Sequence, residues 1–480
     1  MRKQRSFLRE EMYFNLLPLR ARDRLYGGWD FLAVQICFGI AAWFFLTGSL
    51  TGLTLPAREA IPVILVGNSL PLFLVAGLAA IFARYGVEHW QGTSAVFGHR
   101  LKDVWLIIYV TSSFGWIAYA AYLFGQSATK FLDSFGAAGT ATAEGGAIGF
   151  AVVATVAGAF IAYLGPQALK WFTRGAALLL LVLLGVFTWV VLTRFGLTEI
   201  LAAEPAEPME SVAWSRASAI EFNVGLGFSW AFWYGQWTRL SKTERGAFHG
   251  CLWGWGILAA TAGVFSAFVA LALGLYDPTD WIVTLGGGLA ALGLLLFAIA
   301  NLSSIAAVIY PLAITLRTRF PRLNWGVVIA ICSLPAIVLE NERVFANFGT
   351  YLAYIALLTG TYGGIMMGDY LLVSRGRHAW RLRDLYVEGP ASRYWYMGGF
   401  NPAALIATVA GAAFYLWTLD PLHWTSANGW FPYITAGIPS FVLSFVLYAV
   451  IMRLWILPWR DGVEAADEED LEELPLAPAP

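Results

Sequence analysis

The sequence has 480 residues, of which 59% are hydrophobic and 13% are charged, and its formal net charge is -1. This apolar content is far above that of a soluble domain of the same size and indicates an integral membrane protein. The charge balance argues against nucleic-acid binding, and the three cysteines all lie in apolar stretches, which argues against a disulfide framework.

The chain begins with a basic segment, residues 1–28, which we predict to lie on the cytoplasmic face without a cleavable signal peptide. Twelve apolar segments follow, and each predicts a membrane span. They cover residues 29–50, 60–84, 104–132, 146–164, 171–195, 219–238, 248–275, 286–316, 324–339, 346–373, 401–419 and 431–457. The acidic, Pro-rich tail, residues 460–480, is predicted to be disordered.

The distribution of positive charge supports this count, because Lys and Arg in short loops favour the cytoplasmic side. With twelve spans and both termini inside, all but five of the 30 Lys and Arg residues fall on the inner side. The five on the outer side are Arg58, Lys130, Arg194, Arg216 and Arg343.

Polar residues interrupt the eighth apolar segment near its middle, where Ala300 is followed by Asn301, Ser303 and Ser304. Hydroxyl oxygens and free backbone carbonyls are hard ligands of the kind that a small alkali cation prefers, so this stretch indicates an ion site. The alternative is structural: both hydroxyls bond to carbonyls of their own helix, or the small side chains let a neighbouring helix approach.

Glycines fall at matching places in the first and sixth segments, namely Gly39, and Gly225 with Gly227. Glycine weakens a helix, and helices interrupted at matching places in two halves of a chain indicate a binding site near the membrane midplane. We therefore predict interruptions at these glycines. Close helix packing is the alternative, since the chain contains 49 glycines.

The ionisable residues give no sign of an enzyme. The five histidines are scattered, none forms a metal pair at helical spacing, and there is no nucleotide-binding loop or hydrolase motif. Glu221 stands near the outer mouth of the sixth segment and is either a functional intramembrane acid or a solvent-exposed residue.

A series of motifs runs from Asn15 to about Gly411. They are Asn15-Leu-Leu-Pro18, Gly28-Trp-Asp-Phe31, Val66-Gly-Asn68, Phe114-Gly-Trp116, Gln236-Trp-Thr-Arg239, Asn301-Leu-Ser-Ser304, Gly363-Gly-Ile-Met-Met-Gly-Asp-Tyr370 and Tyr396-Met-Gly-Gly-Phe-Asn-Pro402. In order and spacing the series resembles nucleobase–cation symporter family 1, which includes the cytosine/purine, uracil, thiamine, allantoin and hydantoin permeases.

The resemblance implies an all-α polytopic membrane protein with 12 transmembrane helices. Ten of them would form the five-plus-five inverted repeat of the leucine-transporter type, and two would follow at the C-terminus. The first repeat would cover residues 29–197, the second residues 219–375, and the last two spans residues 401–459.

Carried over residue by residue, the ion site of this family falls on Ala300, Ser303 and Ser304 and, in the first span, near Ile36 and Gly39. The implied coupling ion is Na+, with H+ as the alternative.

The resemblance also implies a stacking site for a flat heterocycle, at which Trp116 matches the stacking position of span three. The chain departs from the family pattern at three positions: Ala120 and Ile309 stand where amides are expected, and Gly227 stands at the stacking position of span six. A changed pocket implies a ligand with different polar edges, or replacement groups from elsewhere. The candidates are Gln35, Tyr119, Phe228, Ser229, Trp230, Gln236, Asn301 and Tyr310.

The implied function is a secondary active transporter that moves a small planar heterocycle with Na+ or H+ by alternating access. We expect it in the plasma or inner membrane with both termini in the cytoplasm. Its partners would be the substrate and the lipid bilayer, without an obligate protein partner. Because the pocket amides are lost, an uncoupled channel or a ligand-sensing receptor is the alternative.

Overall fold

The computed structural model describes residues 18–136, 144–374 and 380–460, which contain helices and no β-strand. Most of the predicted N-terminal segment and nearly all of the predicted disordered tail therefore lie outside the described residues. In the first half of the chain the helices are α1 (Gly28–Gly39), α2 (Ala42–Thr54), α3 (Ala57–Val75), α4 (Gly77–Tyr85), α5 (His89–Phe97), α6 (Leu101–Asp133), α7 (Glu144–Tyr163), α8 (Pro166–Phe195) and α9 (Leu197–Ala202).

The second half follows the same pattern of long helices joined by short ones. Its helices are α10 (Val212–Phe228), α11 (Tyr234–Thr238), α12 (Glu244–Cys251), α13 (Ala260–Leu273), α14 (Pro278–Thr284), α15 (Gly287–Arg319), α16 (Trp325–Ser333), α17 (Glu342–Ala346), α18 (Phe348–Gly368), α19 (Leu382–Tyr386), α20 (Pro402–Thr418), α21 (Phe431–Ile434) and α22 (Gly437–Ile451). Short 3-10 helices cover Ala21–Asp23, Ser229–Phe232 and Leu334–Leu339, and π-helical turns cover Leu252–Ala259, Asp369–Val373 and Met452–Ile456.

Seven helices among the described residues are long and apolar enough to cross a membrane, and the bent pair α1–α2 counts as an eighth. Two shorter apolar helices, Trp325–Leu339 and Pro402–Thr418, accompany them. The predicted count of twelve spans therefore stays a prediction.

Helix α15 forms the centre of the molecule and α8 part of its perimeter. The side chains of α15 from Ser303 to Leu316 are all buried, and the helix packs against α6, α7 and α8. In contrast, Leu178 and Trp189 of α8 are 68% and 66% exposed, as expected for apolar side chains that face lipid.

The first span is broken where the sequence predicted an interruption. Helices α1 and α2 meet at an angle of 51° across Ile40 and Ala41, directly after Gly39. A Cβ atom on Gly39 would lie 2.1 Å from the Cβ of Ala259, so glycine is required there by close packing as well. The prediction of a break at Gly39 is confirmed.

The prediction of a break at Gly225 and Gly227 is wrong. Helix α10 continues through both glycines to Phe228, and the irregular turn follows at Ser229–Phe232. Cβ atoms at Gly225 and Gly227 would lie 2.3 Å from the backbone oxygens of Leu352 and Asn68, respectively. These glycines therefore allow neighbouring helices to approach, and the helix is interrupted two residues further on.

Candidate functional site

The broken first span and the irregular turn after α10 face one small cavity of about 20 Å³. We call it the tryptophan pocket. It is lined by Phe38, Trp43, Trp116, Ser229, Trp230, Trp233, Trp255 and Val308. The volume is close to what one water molecule occupies, so the rings must part before a heterocycle can enter.

The rings of the tryptophan pocket meet edge to face. Trp43 and Trp116 have centroids 4.9 Å apart with an interplanar angle of 89°. Trp230 lies 5.4 Å from Trp255 at an angle of 77°, and Phe38 lies 5.4 Å from Trp230 at 64°. Edge-to-face pairs are a favourable arrangement of aromatic rings, and ring faces are the surfaces on which planar heterocycles stack.

Two of the tryptophans that line this pocket carry unpaired hydrogen-bond donors in the described part of the chain. The indole nitrogens of Trp43 and Trp255 are buried and have no hydrogen-bond partner among the described residues, while the hydroxyl of Ser229 donates to the carbonyl of Leu226 at 2.6 Å. None of the lining side chains carries a charge. An N–H group without an acceptor in an apolar pocket is costly unless a ligand supplies one. The pocket therefore suits a neutral ring with acceptor atoms, such as carbonyl oxygens or unprotonated ring nitrogens.

Three of the predicted substrate residues, Trp116, Ser229 and Trp230, line the tryptophan pocket. The others lie elsewhere among the described residues. Tyr119 donates to the carbonyl of Val344 at 2.9 Å, and Phe228 stacks on Phe441 with centroids 5.1 Å apart. Gly227 packs on Asn68, and the side chain of Asn301 accepts the backbone N–H of Ala42. Ala120 and Ile309 are fully buried outside the lining.

The remaining candidates make contacts outside the pocket lining. Gln35 lies 3.8 Å from the sulfur of Cys251, Gln236 bonds to Thr315 at 3.1 Å, and the ring of Tyr310 packs on Trp237. We therefore place these residues around the pocket and not in its wall.

Five lining residues were missed by sequence reasoning: Phe38, Trp43, Trp233, Trp255 and Val308. Two of them had a usable signal, since Phe38 and Trp43 flank the predicted break at Gly39. The tryptophans of the second half had none, because 22 tryptophans are spread along the chain.

The two serines of α15 make different hydrogen bonds. Ser304 donates to the carbonyl of Cys37 at 3.1 Å, across to the last turn of α1. Ser303 donates to Ala300, within its own helix, at 2.7 Å. The side chain of Asn301 accepts the backbone N–H of Ala42, the first residue of α2, at 3.0 Å. Helix α15 therefore holds both sides of the break in the first span.

Several neutral oxygen atoms lie at this break. Besides the two hydroxyls, they include the carbonyls of Ile36 and Gly39, which accept the backbone N–H groups of Ile40 and Ala41 at 2.8 and 2.7 Å. Each carbonyl oxygen has a second lone pair, and neutral oxygens are ligands of hard cations. No group of three His, Cys, Asp or Glu side chains that could hold a metal occurs among the described residues.

A charged cluster ties the start of α1 to the start of α8. Asp30 is 5% exposed and accepts from Lys170 at 3.1 Å and from Arg174. The backbone N–H of Gly27 also donates to Asp30, at 2.9 Å. The cluster lies at the start of the broken span, on the side predicted to be cytoplasmic, and connects this span to a peripheral helix.

Several solved structures share this fold. The closed conformation of Mhp1, a nucleobase-cation-symport-1 family transporter with bromovinylhydantoin bound, has a TM-score of 0.74 and 18% identity, and covers 93% of this chain and 95% of its own. The inward-facing conformation of Mhp1 has a TM-score of 0.72 and 17% identity, with 94% of each chain covered. MhsT in complex with L-phenylalanine is more distant, with a TM-score of 0.53, 13% identity and coverage of 80% of this chain and 98% of its own.

Residues 29–434 match the family described as permease for cytosine/purines, uracil, thiamine, allantoin, and the chain belongs to that family. The purine-uracil permease NCS1 of Arabidopsis thaliana is 30% identical over 129 residues, which are 26% of this chain and 21% of that relative. The matched region thus spans about a fifth of the relative's length. The predicted family and the predicted all-α fold are confirmed, whereas the count of twelve spans stays a prediction, and the family is one of permeases.

Proposed function

We propose that this protein is a symporter that carries a small, neutral, planar heterocycle, a nucleobase or related compound, across the cell membrane together with Na+ or H+. Both termini would lie in the cytoplasm, which is the arrangement that the distribution of Lys and Arg favours. The observation that carries this proposal is the tryptophan pocket placed directly at the broken first span.

The pocket favours ligands that accept hydrogen bonds. The indole N–H groups of Trp43 and Trp255 would each bond to a carbonyl oxygen or ring nitrogen of the substrate, while the indole faces stack on its ring. A ligand that lacks such acceptors leaves both donors unpaired, which costs about 1–3 kcal/mol for each buried group. The uracil ring, with two carbonyl groups, is the simplest candidate.

The ion would be held by Ser303, Ser304 and Ala300 of α15 together with backbone carbonyls of α1. These atoms bridge two helices at the break, so a cation that binds them stabilises one packing of α1 against α15. Since Phe38 of α1 lines the tryptophan pocket, that packing also shapes the substrate site. Linkage then requires the substrate to increase the affinity for the ion by the same factor.

Uptake into proteoliposomes tests the proposal. Radiolabelled uracil, cytosine, hydantoin, allantoin and thiamine are each offered with an inward Na+ gradient, with an inward proton gradient, and with no gradient. We expect at least one heterocycle to accumulate above its equilibrium level only when one of the gradients is present. Equilibration without accumulation would instead support the uncoupled channel, and binding without any flux would support the receptor.

A further inference from the structure

The carboxyl group of Glu221 in α10 is fully buried at a junction of four helices. One carboxyl oxygen lies 2.8 Å from the hydroxyl of Tyr415 in α20. The other accepts the backbone N–H groups of Ala436 and Gly437, at the start of α22, at 3.0 and 3.2 Å. Glu221 forms no ion pair with any residue in the described part of the chain. The exposed position that the sequence allowed for this acid is excluded.

The hydrogens at this junction can be counted. The hydroxyl of Tyr415 lies 2.8 Å from Glu221 and 2.7 Å from the carbonyl oxygen of Ala353 in α18, but it has one hydrogen to donate. If the Glu221 carboxyl group carries a proton, it donates to Tyr415, and Tyr415 donates to Ala353. The unprotonated carboxyl oxygen then accepts both N–H groups of α22. Every polar group at the junction is then bonded.

The ionised form leaves one contact without a hydrogen. Tyr415 then donates its hydrogen to the carboxylate. The oxygens of Tyr415 and Ala353, 2.7 Å apart, are then two acceptors with no hydrogen between them. The N-terminus of α22 partly compensates a negative charge. A buried carboxylate without a cation nevertheless carries a large desolvation cost, so the neutral acid is the form that this geometry favours.

We propose that Glu221 is a proton-binding site whose affinity depends on the position of α18. When Ala353 is in contact with Tyr415, the hydroxyl of Tyr415 donates to the carbonyl of Ala353 in α18, and Glu221 keeps its proton. When α18 moves away, the same hydrogen turns to Glu221 and stabilises the carboxylate, so the proton is released to water. Protonation of Glu221 and the position of α18 in which Ala353 contacts Tyr415 therefore favour each other.

Helix α18 also forms part of the surroundings of the tryptophan pocket. Tyr351 lies 5.0 Å from Trp116 at an interplanar angle of 79°, and Phe348 lies 6.4 Å from Trp116 at 77°. Tyr351 and Ala353 are two residues apart on the same helix. A substrate that orders Trp116 thus holds α18 in the position that binds the proton. This step rests on the proposed transport function, whereas the proton site itself does not.

Other titratable groups on the packed elements are engaged elsewhere. Tyr354 of α18 interacts electrostatically with Tyr415, and within the described residues it makes no hydrogen bond to Glu221. On the remaining elements, Arg216 of α10 pairs with Glu59 of α3 and Asp420 pairs with His423 after α20, and both pairs are solvent-exposed. Tyr351 bonds to Ser112, Tyr362 bonds to His89 and Thr93, and Tyr448 bonds to Asp369. Arg58 of α3 and Tyr433 of α21 are exposed.

Infrared spectroscopy of the purified protein in lipid tests the site without a substrate. The difference spectrum between wild type and Glu221→Gln at neutral pH should contain the C=O band of one protonated carboxylic acid. The amide keeps an oxygen for the two N–H groups of α22 and a donor for Tyr415, so we expect this variant to fold. Loss of carboxylate bands instead of the protonated band would overturn the proposal.

Two further variants test the link to α18. Tyr415→Phe removes the acceptor of the acid's proton, so the protonated band should shift in frequency or disappear; an unmoved band would contradict the pairing. Tyr351→Ala loosens α18 at the pocket, so the band should be lost at a lower pH than in wild type. An identical titration in the two proteins, including no titration in either, would overturn the link.

The Glu221→Gln variant also separates the proposed proton site from the proposed transport function. In the uptake assay, Glu221→Gln should bind and exchange the transported heterocycle but show no acceleration by a proton gradient. Accumulation in wild type without a Glu221 band would overturn the proton site and leave the symporter intact. A Glu221 band without accumulation of any heterocycle would leave the site and overturn the transport function.

Discussion

Ser303 and Ser304 are neighbours in the sequence, but only the hydroxyl of Ser304 reaches another helix, where it bonds to the carbonyl of Cys37. Ser304→Ala removes one oxygen from the proposed ion site and one bond across the break. One such polar contact contributes about 1 kcal/mol, so we expect the Na+ concentration for half-maximal uptake to rise about fivefold.

Ser127→Ala is the matched control for this measurement, because Ser127 is equally buried and donates to Leu123 within its own helix. It should leave the ion dependence of uptake unchanged. If Ser304→Ala behaves like Ser127→Ala, the serine pair is structural and the ion lies elsewhere.

The unpaired indole nitrogen of Trp255 gives a second prediction at the scale of one residue. Trp255→Phe keeps an aromatic face in the tryptophan pocket and deletes the N–H donor. A substrate oxygen that bonds to this donor then stays unpaired, at a cost of about 1–3 kcal/mol, so the apparent substrate affinity should fall about fivefold to a hundredfold.

Trp281→Phe controls for the loss of an indole. Trp281 also has a buried nitrogen without a partner, but it packs on Phe187 and Phe265 outside the tryptophan pocket. We expect its apparent affinity to match wild type. Equal affinities of the two variants and wild type would mean that Trp255 does not bond to the substrate.

At the scale of elements, α2 and α13 pack with almost no space between their backbones. Cβ atoms on Gly48 and Gly52 would lie 2.1 Å and 2.5 Å from the backbone oxygens of Gly263 and Ala267. Gly48→Ala therefore forces the two helices apart, and overpacking of this kind costs about 1–3 kcal/mol. The thermal unfolding temperature of the detergent-solubilised protein should drop.

Gly149→Ala is the control for this change, because Gly149 lies on the exposed face of α7 with no atom within 4 Å of an added Cβ. Alanine favours a helix over glycine, so its unfolding temperature should stay the same or rise slightly. A Gly48→Ala protein as stable as Gly149→Ala would show that α2 and α13 are not in close contact.

The glycines also show how far the elements could be predicted from sequence. Gly39 and Gly227 look alike as apolar-segment glycines, yet one precedes a break and the other lies within a continuous helix. Both are also packed against a distant part of the chain, Gly39 against Ala259 and Gly227 against the backbone of Asn68. A local pattern contains no information on such a neighbour, so the break after α10 was placed two residues too early.

The same reasoning applies to the pocket. Trp116 was found through a motif, and Ser229 and Trp230 through their closeness to a predicted break. Trp255 lies in the π-helical turn before α13 and joins the pocket because that helix packs beside the broken span. Only the tertiary arrangement distinguishes it from the many tryptophans outside the pocket.

At the scale of the whole molecule, charged pairs join helices on both sides of the predicted membrane. Asp30 joins α1 to Lys170 and Arg174 of α8 on the side predicted to be cytoplasmic. Glu59 joins α3 to Arg216 of α10, and Lys130 joins α6 to Asp280 of α14, on the side predicted to be external. In this conformation both sides are tied, which agrees with the small volume of the tryptophan pocket.

Breaking the tie at Asp30 should shift the conformational equilibrium toward an inner opening. Asp30→Asn keeps an acceptor for the N–H of Gly27 and removes the charge that attracts Lys170 and Arg174. This loss of about 1 kcal/mol changes the ratio of open to closed molecules about fivefold. Spin labels at Trp29→Cys and Leu178→Cys, both exposed, report the separation of α1 and α8 by pulsed electron resonance. The three native cysteines are buried, so the labels remain selective.

The distance distribution of Asp30→Asn should gain a longer component relative to wild type. Asp420→Asn is the control, since Asp420 is exposed and forms its ion pair with the nearby His423, outside these helices, and its distribution should equal that of wild type. A distribution unchanged by Asp30→Asn would mean that other contacts hold the inner side closed. The candidate would then be the buried chain of bonds from Gln236 through Thr315 to Glu88, which joins α11 to α15 and to the start of α5.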